Sequence, residues 1–204
     1  MKGLTIIGLL LAWPLFLAGQ QETLFGPGTR VGGFGGPLFE INGINGETGV
    51  SGGGGGGVII DDFFVGLYGT GAAFTSVELT DGRYKVGLGT GGLWLGYTPL
   101  GERLIHPYIS ARIGWGAISL SRDTGRDFDF EFEDEVDQVF SVTPEAGVEL
   151  NVFHWFRLSA AVGYRWLNGA DPVVHGLSDS DFRSLTGTIT LRFGGFGYGK
   201  QEKE

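Results

Sequence analysis

Polar and apolar residues alternate with a period of two along most of the chain after residue 28. In segment 156–166, Phe, Leu, Ala, Val, Tyr and Trp occupy one face, while Arg, Ser, Ala, Gly and Arg occupy the other. Segments 108–115, 142–151 and 185–193 repeat the pattern. This period is that of a β-strand whose two faces meet different surroundings, and helical periodicity is nearly absent. The alternation therefore predicts an all-β protein.

Eight such strands can be placed, an even number like that of single-chain bacterial outer-membrane barrels. Their predicted ranges are 29–42, 46–60, 62–74, 83–97, 105–122, 137–151, 155–166 and 184–196. The connections at 61–62, 98–104 and 152–154 are short, whereas those at 75–82, 123–136 and 167–183 are long and polar. With the mature N-terminus in the periplasm, the short turns would be periplasmic and the long loops would face outward, as is usual for these barrels.

The two faces of the strands differ in a way that favours a membrane protein. The apolar faces carry large aromatic residues toward the strand ends, and we expect these at the membrane–water interfaces: Trp94, Trp115, Trp155, Trp166 and Phe193. The polar faces carry charges, which we expect to form an internal network in the lumen: Arg112, Glu145, Glu149, Arg157, Arg165 and Arg192. The prediction is an eight-stranded antiparallel transmembrane β-barrel of the outer-membrane type. A soluble secreted glycine-rich β-protein is the alternative.

Glycine is the most unusual feature of the composition, with 40 Gly among 204 residues. Six of them are consecutive, at 52–57, and Val50 and 58–60 flank them with apolar residues. One interpretation is a flexible linker. The other is the second strand, which would leave room in the lumen for bulky residues opposite it.

The N-terminal segment has the order of regions found in secretory signals. Lys2 precedes an apolar run at 4–17, and the small residues Ala18 and Gly19 precede a polar stretch. We expect cleavage near Gly19, with an uncleaved anchor as the alternative. The domain organisation is then a signal peptide at 1–19, a periplasmic segment at 20–28, the barrel at 29–196 and a polar tail at 197–204. No Cys is present, so the signal is not that of a lipoprotein.

Charge and motifs narrow the function classes. A net charge of −9 argues against nucleic acid as a partner, because phosphate binding needs a basic face. Gly87, Gly89 and Gly92 match a dinucleotide-binding pattern, but strand and turn residues follow them where that site needs a helix. His106, His154 and His175 have no His or Cys partner at metal-ligand spacing. Only His175, in the last outer loop with Asp and Ser residues, would support an outer-leaflet hydrolase.

The segment DFDFEFEDEVD at 127–137 is the best functional lead in the sequence. In a strand conformation, one edge carries only carboxylates and the other only Phe: Asp127, Asp129, Glu131 and Glu133 alternate with Phe128, Phe130 and Phe132. The carboxylates could hold Ca²⁺, or the 123–136 hairpin could pair with a surface partner. A solvated hairpin whose Phe side packs on a neighbouring strand is the third interpretation.

With a signal, eight alternating strands, aromatic strand ends and a charged interior, the chain resembles the small outer-membrane β-barrels of the OmpA transmembrane and OmpX type. The segments RVGGFGGPLFEINGINGETGV and GGGGGGVIIDDFFVGLYGTG look like those of outer-membrane barrels. The resemblance covers 29–196 and implies insertion into the cell outer membrane in contact with its lipid. The chain departs from the pattern after Phe196, because such barrels often end on a C-terminal aromatic residue.

An eight-stranded barrel has an interior just wide enough for side chains, so an open general pore is disfavoured. We expect a structural or surface-interaction role without enzymatic activity and with no cofactor other than the Ca²⁺ considered for the acidic hairpin. The alternatives are a narrow transport barrel for small or apolar solutes and, as a lesser one, the outer-leaflet hydrolase.

Overall fold

The computed structural model describes residues 28–44, 47–79, 82–122, 136–170 and 177–197. These residues form eight antiparallel strands and one short 3₁₀ helix, Asp179–Phe182. The strands are β1 (Val31–Ile44), β2 (Glu47–Ile60), β3 (Phe63–Leu79), β4 (Gly82–Tyr97), β5 (Ile105–Arg122), β6 (Val136–Phe153), β7 (Phe156–Asn168) and β8 (Ser184–Gly195). Each strand pairs with its neighbour in sequence, and β8 pairs with β1 to close the barrel. The predicted fold class is therefore confirmed. The expected signal peptide at 1–19, segment 20–27 and tail residues 198–204 lie outside the described residues.

The alternation in the sequence separates the inside of the barrel from the outside. In β7, Arg157, Ser159 and Arg165 are buried, whereas Val162 is 71% exposed and Trp166 is 49% exposed. The outer wall is thus apolar and unshielded by the chain itself, which is the surface that a barrel presents to lipid. Among the described residues, no helix is long and apolar enough to span a membrane.

The two ends of the barrel differ. Both described chain ends and the connections 61–62, 98–104 and 154–155 lie at one end, which we call the turn end. It is tied together by hydrogen bonds from Asp61 N to Arg30 O at 2.8 Å and from Thr98 N to Asp62 O at 2.7 Å. At the opposite end, which we call the loop end, β5 ends at Arg122, β6 begins at Val136, β7 ends at Asn168 and β8 begins at Ser184.

The connection between β3 and β4 is shorter than the sequence suggested. We expected a long loop at 75–82, but β3 extends to Leu79 and β4 begins at Gly82, with a register shift between Phe74 and Val77. Leu79 pairs with Gly82, so most of this polar segment belongs to the two strands.

The glycine run forms part of the barrel wall. Residues 52–57 belong to β2 and pair with both β1 and β3, so the linker interpretation is wrong. A Cβ added to Gly55 would lie 3.0 Å from a ring carbon of Trp94 and 2.6 Å from the Leu67 carbonyl oxygen. The missing side chain therefore provides the space that the Trp94 indole occupies inside the barrel.

Candidate functional site: the barrel interior

Side chains fill the interior in three layers. The layer nearest the turn end, the aromatic layer, is built from Phe34, Phe64, Trp94, Tyr108 and Phe196. The buried Arg and Glu residues, with nearby Ser and Thr hydroxyls, form what we call the charged layer, which extends from the level of the aromatic residues toward the middle of the barrel. The layer nearest the loop end, the apolar cap, contains Ile44, Val86, Leu88, Ile118, Val139, Leu167, Leu177 and Phe182.

The aromatic layer is packed edge to face around one guanidinium group. The ring centroids of Phe34 and Phe64 are 5.1 Å apart, and both rings are 5.5 Å from that of Trp94. The guanidinium carbon of Arg192 lies 3.6 Å from the Phe34 centroid and 4.4 Å from that of Phe64. Aromatic faces attract cations, and this attraction is stronger where water is excluded. Phe196 packs in the same way on Arg157, with 3.9 Å between ring centroid and guanidinium carbon.

Trp94 corrects one of the expected interface positions. We expected it on the outer wall, but it is 0% exposed and belongs to the aromatic layer. The segment GGLWLGY is apolar on both faces, so its alternation does not reveal which face points inward. Leu93, its neighbour, is the outward residue, with 44% exposure.

The other four expected interface aromatics are exposed outside the barrel, Trp155 in the 154–155 turn and the rest on strands. Trp115 is 65% exposed, Trp155 47%, Trp166 49% and Phe193 40%. Trp155 and Phe193 stack at the turn end with centroids 6.1 Å apart.

Glu149 is the centre of the charged residues nearest the aromatic layer. Its carboxylate accepts hydrogen bonds from Arg157 Nη1 at 2.9 Å and Arg192 Nη1 at 2.6 Å. Ser159 Oγ donates to it at 2.8 Å, and His106 Nε2 lies 3.1 Å from Oε1. A buried carboxylate is tolerable only when it is paired in this way. The structure thus brings together three of the sequence-predicted lumen residues and adds His106.

Arg112 is the centre of the second group. Its Nη2 contacts both Glu40 and Glu145, the latter at 2.9 Å. Glu145 also accepts hydrogen bonds from Ser110 Oγ at 2.9 Å and Thr188 Oγ1 at 2.6 Å. Arg165 Nη1 lies 3.8 Å from Glu40.

Glu40 is the lumen carboxylate that the sequence reasoning missed. It lies in the largely apolar segment PLFEI. Its parity with Asn42, another inward polar residue, is the signal that could have identified it.

The apolar cap is completed by the connection that precedes β8. Asp179 Oδ1 accepts hydrogen bonds from Gly169 N and Ala170 N, both at 2.8 Å, and this folds the 3₁₀ helix over the barrel mouth. Phe182, at the end of that helix, is 1% exposed, and its carbonyl accepts a hydrogen bond from Arg165 Nε at 3.1 Å. Between the cap and the charged layer lies a cavity of about 10 Å³, close to the space that one water molecule needs.

The remaining candidate residues are not assembled into a site. Asp127, Asp129, Glu131, Glu133 and His175 lie outside the described residues. His106 is buried against Glu149, and His154 is exposed in the 154–155 turn. Gly87, Gly89 and Gly92 lie within β4, where there is no helix to bind a pyrophosphate. Within the described ranges, no group of three or more His, Cys, Asp or Glu residues could hold a metal ion.

No family model and no curated protein matches the chain. Among solved structures, Neisserial surface protein A (NspA) matches with a TM-score of 0.56 and 15% identity, over 80% of this chain and 96% of that one. The outer membrane protein OprG from Pseudomonas aeruginosa matches with a TM-score of 0.50 and 15% identity, over 81% of this chain and 95% of that one. At such identities the likeness concerns the fold, and it confirms the resemblance to small outer-membrane β-barrels.

Proposed function

We propose that the protein is a sealed barrel of the bacterial outer membrane, which presents its loop end at the cell surface to another surface molecule. The observation that supports a sealed barrel most strongly is the layered filling of its interior. Aromatic and charged side chains fill the interior from the turn end to its middle, and the apolar cap with Phe182 of the 3₁₀ helix fills the loop end.

The strand number supports the same proposal. Aqueous channels are found in barrels of about 16 to 18 strands, whereas eight strands leave an interior that side chains fill. The buried guanidinium groups of Arg112, Arg157 and Arg192 are held by carboxylates that lie beside them. Moving these groups aside for a solute would leave buried charges unpaired, which is costly.

The surface role rests on the acidic segment between β5 and β6. β5 ends at Arg122 and β6 begins at Val136, so the wall holds both ends of this segment at the loop end. Four carboxylates in alternation with Phe would repel one another along one edge, and a cation or cationic partner would relieve that repulsion. NspA, one of the similar structures, is by its name a surface protein.

Conductance tests the sealed barrel. The full-length protein, refolded into planar bilayers, should show no steady conductance of the size produced by general porins. The variant Trp94→Ala removes the largest side chain from the aromatic layer. Its conductance is compared with that of the unmodified protein. Steady porin-like conductance of the unmodified protein would overturn the proposal of a sealed barrel.

Deletion of 127–135 tests the surface role. The deletion variant should still run as a compact, heat-modifiable band on gels, because the barrel wall lies outside the deleted segment. It should lose any Ca²⁺-dependent stabilisation and any binding to intact cells. A second variant carries Asp127→Asn, Asp129→Asn, Glu131→Gln and Glu133→Gln. It removes the four charges but keeps the length of the segment, so it separates the effect of charge from that of length. Unchanged cation and cell binding by the deletion variant would mean that the segment is only a solvated loop.

A further inference from the structure

The lumen carries more buried positive charge than buried negative charge. Among the described residues, four Arg and three Glu side chains are buried inside the barrel, and guanidinium groups stay protonated in proteins. His106 contributes no negative charge in either protonation state. A charge without a partner is costly in an interior that excludes water, so the surplus positive charge needs a partner other than these carboxylates.

Near the turn end, the aromatic layer is part of that partner. Arg157 and Arg192 share the single carboxylate of Glu149. The guanidinium group of Arg192 also lies over the Phe34 ring, and that of Arg157 lies over the Phe196 ring. The negative faces of these rings attract the cations, so both guanidinium groups in this half of the lumen have partners.

Nearer the loop end, the charges are matched in number but not in space. Arg112 Nη2 contacts both Glu40 and Glu145. Arg165 pairs only with Glu40 among the described carboxylates, and its Nη1 lies 3.8 Å from that carboxylate, which is too far for a hydrogen bond. Arg165 Nε and Nη2 donate to backbone carbonyls and a hydroxyl, whereas Nη1 has no hydrogen-bond acceptor within the described ranges. The buried guanidinium group of Arg165 is therefore only weakly compensated.

Arg165 and Arg112 both line the small cavity between the apolar cap and the charged layer. Its volume of about 10 Å³ gives room for one water molecule or one monatomic ion. Glu40 is the only carboxylate among its described wall residues, and Glu145 is not part of the wall. The other polar wall groups are hydroxyls, which can donate hydrogen bonds: Ser51, Tyr68, Thr70, Thr90, Ser141 and Thr143. The wall thus combines two positive charges, one negative charge and several hydroxyl donors.

We infer that this cavity binds a chloride ion, held between the guanidinium groups of Arg165 and Arg112. A chloride ion supplies the missing negative charge and accepts hydrogen bonds from guanidinium and hydroxyl groups, whereas a water molecule in the same place leaves the surplus charge unchanged. The carboxylate of Glu40 does not prevent this, because it is already paired with Arg112 and accepts a hydrogen bond from the Asn42 amide. Polyatomic anions such as sulfate are too large for the cavity. The site is enclosed in the lumen and does not depend on the proposed surface role.

Bromide, a heavier halide, makes the site directly visible. The full-length protein is refolded and crystallised in sodium bromide, and anomalous diffraction is recorded at the bromine absorption edge. We expect one anomalous peak inside the barrel, in contact with Arg165 and Arg112, and no such peak in crystals grown in sodium chloride. A lumen without an anomalous peak in the bromide crystals would overturn the inference.

The dependence of stability on chloride tests the site in a membrane. Urea-induced unfolding of the full-length protein in phosphatidylcholine vesicles is measured at several chloride concentrations. Sodium gluconate keeps the ionic strength constant, because gluconate is too large for the cavity. A ligand that binds only the folded protein raises the ratio of folded to unfolded protein, and near saturation a tenfold increase in chloride should raise this ratio about tenfold. Equal stability in chloride and in gluconate would also overturn the inference.

Variants of the wall locate the ion within the lumen. Arg165→Met should abolish the chloride dependence. Thr143→Val replaces a wall hydroxyl by a methyl group of similar size, and the loss of one hydrogen bond should raise the chloride concentration needed for stabilisation about fivefold. Thr190→Val is the matched control, because Thr190 is also buried inside the barrel but does not line the cavity, so its chloride dependence should equal that of the unmodified protein. Full chloride dependence in folded Arg165→Met, or equal effects of the two Thr substitutions, would overturn the proposed position of the ion.

Discussion

Arg192 donates a hydrogen bond to Glu149 at 2.6 Å inside the barrel, where the Glu149 side chain is 0% exposed and that of Arg192 is 1% exposed. The same guanidinium group also lies over the Phe34 and Phe64 rings. This pair therefore links the charged layer to the aromatic layer.

Removing the charge of Glu149 should be among the most damaging single changes in the lumen. Glu149→Gln leaves the guanidinium groups of Arg157 and Arg192 buried without their carboxylate, at a cost of about 3–5 kcal/mol. Urea-induced unfolding in lipid vesicles measures this loss in the free energy of unfolding. In the double variant Glu149→Gln/Arg192→Met, the loss should be smaller than the sum of the two single losses. Additive losses would show that the pair is not coupled.

Gly55→Ala should disturb the packing of Trp94. The new Cβ would meet the Trp94 ring at 3.0 Å and the Leu67 carbonyl at 2.6 Å, so the wall or the indole must shift. We expect a loss of about 1–3 kcal/mol in the free energy of unfolding, as for other overpacked sites. Gly52→Ala is the control, because its Cβ meets nothing within 4 Å. Equal effects of the two substitutions would contradict the role assigned to Gly55.

A charge on the outer wall should oppose insertion. Leu67 is 64% exposed on β3, and Leu67→Arg should cost about 2–4 kcal/mol if the residue lies near the middle of the bilayer. Leu67→Met keeps the apolar surface and should fold like the unmodified protein. Folding yields in vesicles, read from gel mobility, provide the comparison. If Leu67→Arg gave the same folding yield as the unmodified protein, the result would argue against a lipid-facing wall.

Arg165→Met should loosen the loop end without unfolding the barrel. Arg165 donates hydrogen bonds to the carbonyl oxygens of Gly43 and Phe182. Its loss should therefore make residues 42–44 and 177–183 more mobile. The described lumen contains four buried Arg and three buried Glu, so one Arg can be lost without leaving a carboxylate in excess. Hydrogen exchange followed by mass spectrometry should rise in these two segments and remain low in β3 to β6. A uniform rise over all strands would show that Arg165 supports the whole barrel instead.

Most of the fold could be predicted because a membrane barrel imposes a strict rule on alternate residues. The segment 156–166 illustrates this, since Arg157 and Arg165 point inward and Val162 points outward, as its pattern indicates. Prediction failed where both faces of a strand are apolar, because alternation then does not distinguish the inward face from the outward face. Trp94 has apolar neighbours on both faces of β4, and the space that it fills inside the barrel is left by Gly55 on another strand.

The site was less accessible to sequence reasoning for a related reason. The lumen charges could be identified as a set, but their division around Glu149 and Arg112 depends on the stagger between strands, which parity does not determine. The point at Ile41 and Gly187 where the pairing of β1 with β8 ends could not be predicted either, because these strands are separated by most of the chain.

The order of the strands has a consequence for how fast the protein folds. Every pairing except one joins strands adjacent in sequence, so hairpins can form locally and at low entropic cost. The exception joins Gly33 to Gly195 and requires the ends of nearly the whole chain to meet. Closure of this one seam is thus the slow, non-local step, and until it is complete the strand edges of β1 and β8 are the places where a nascent barrel is most exposed to aggregation.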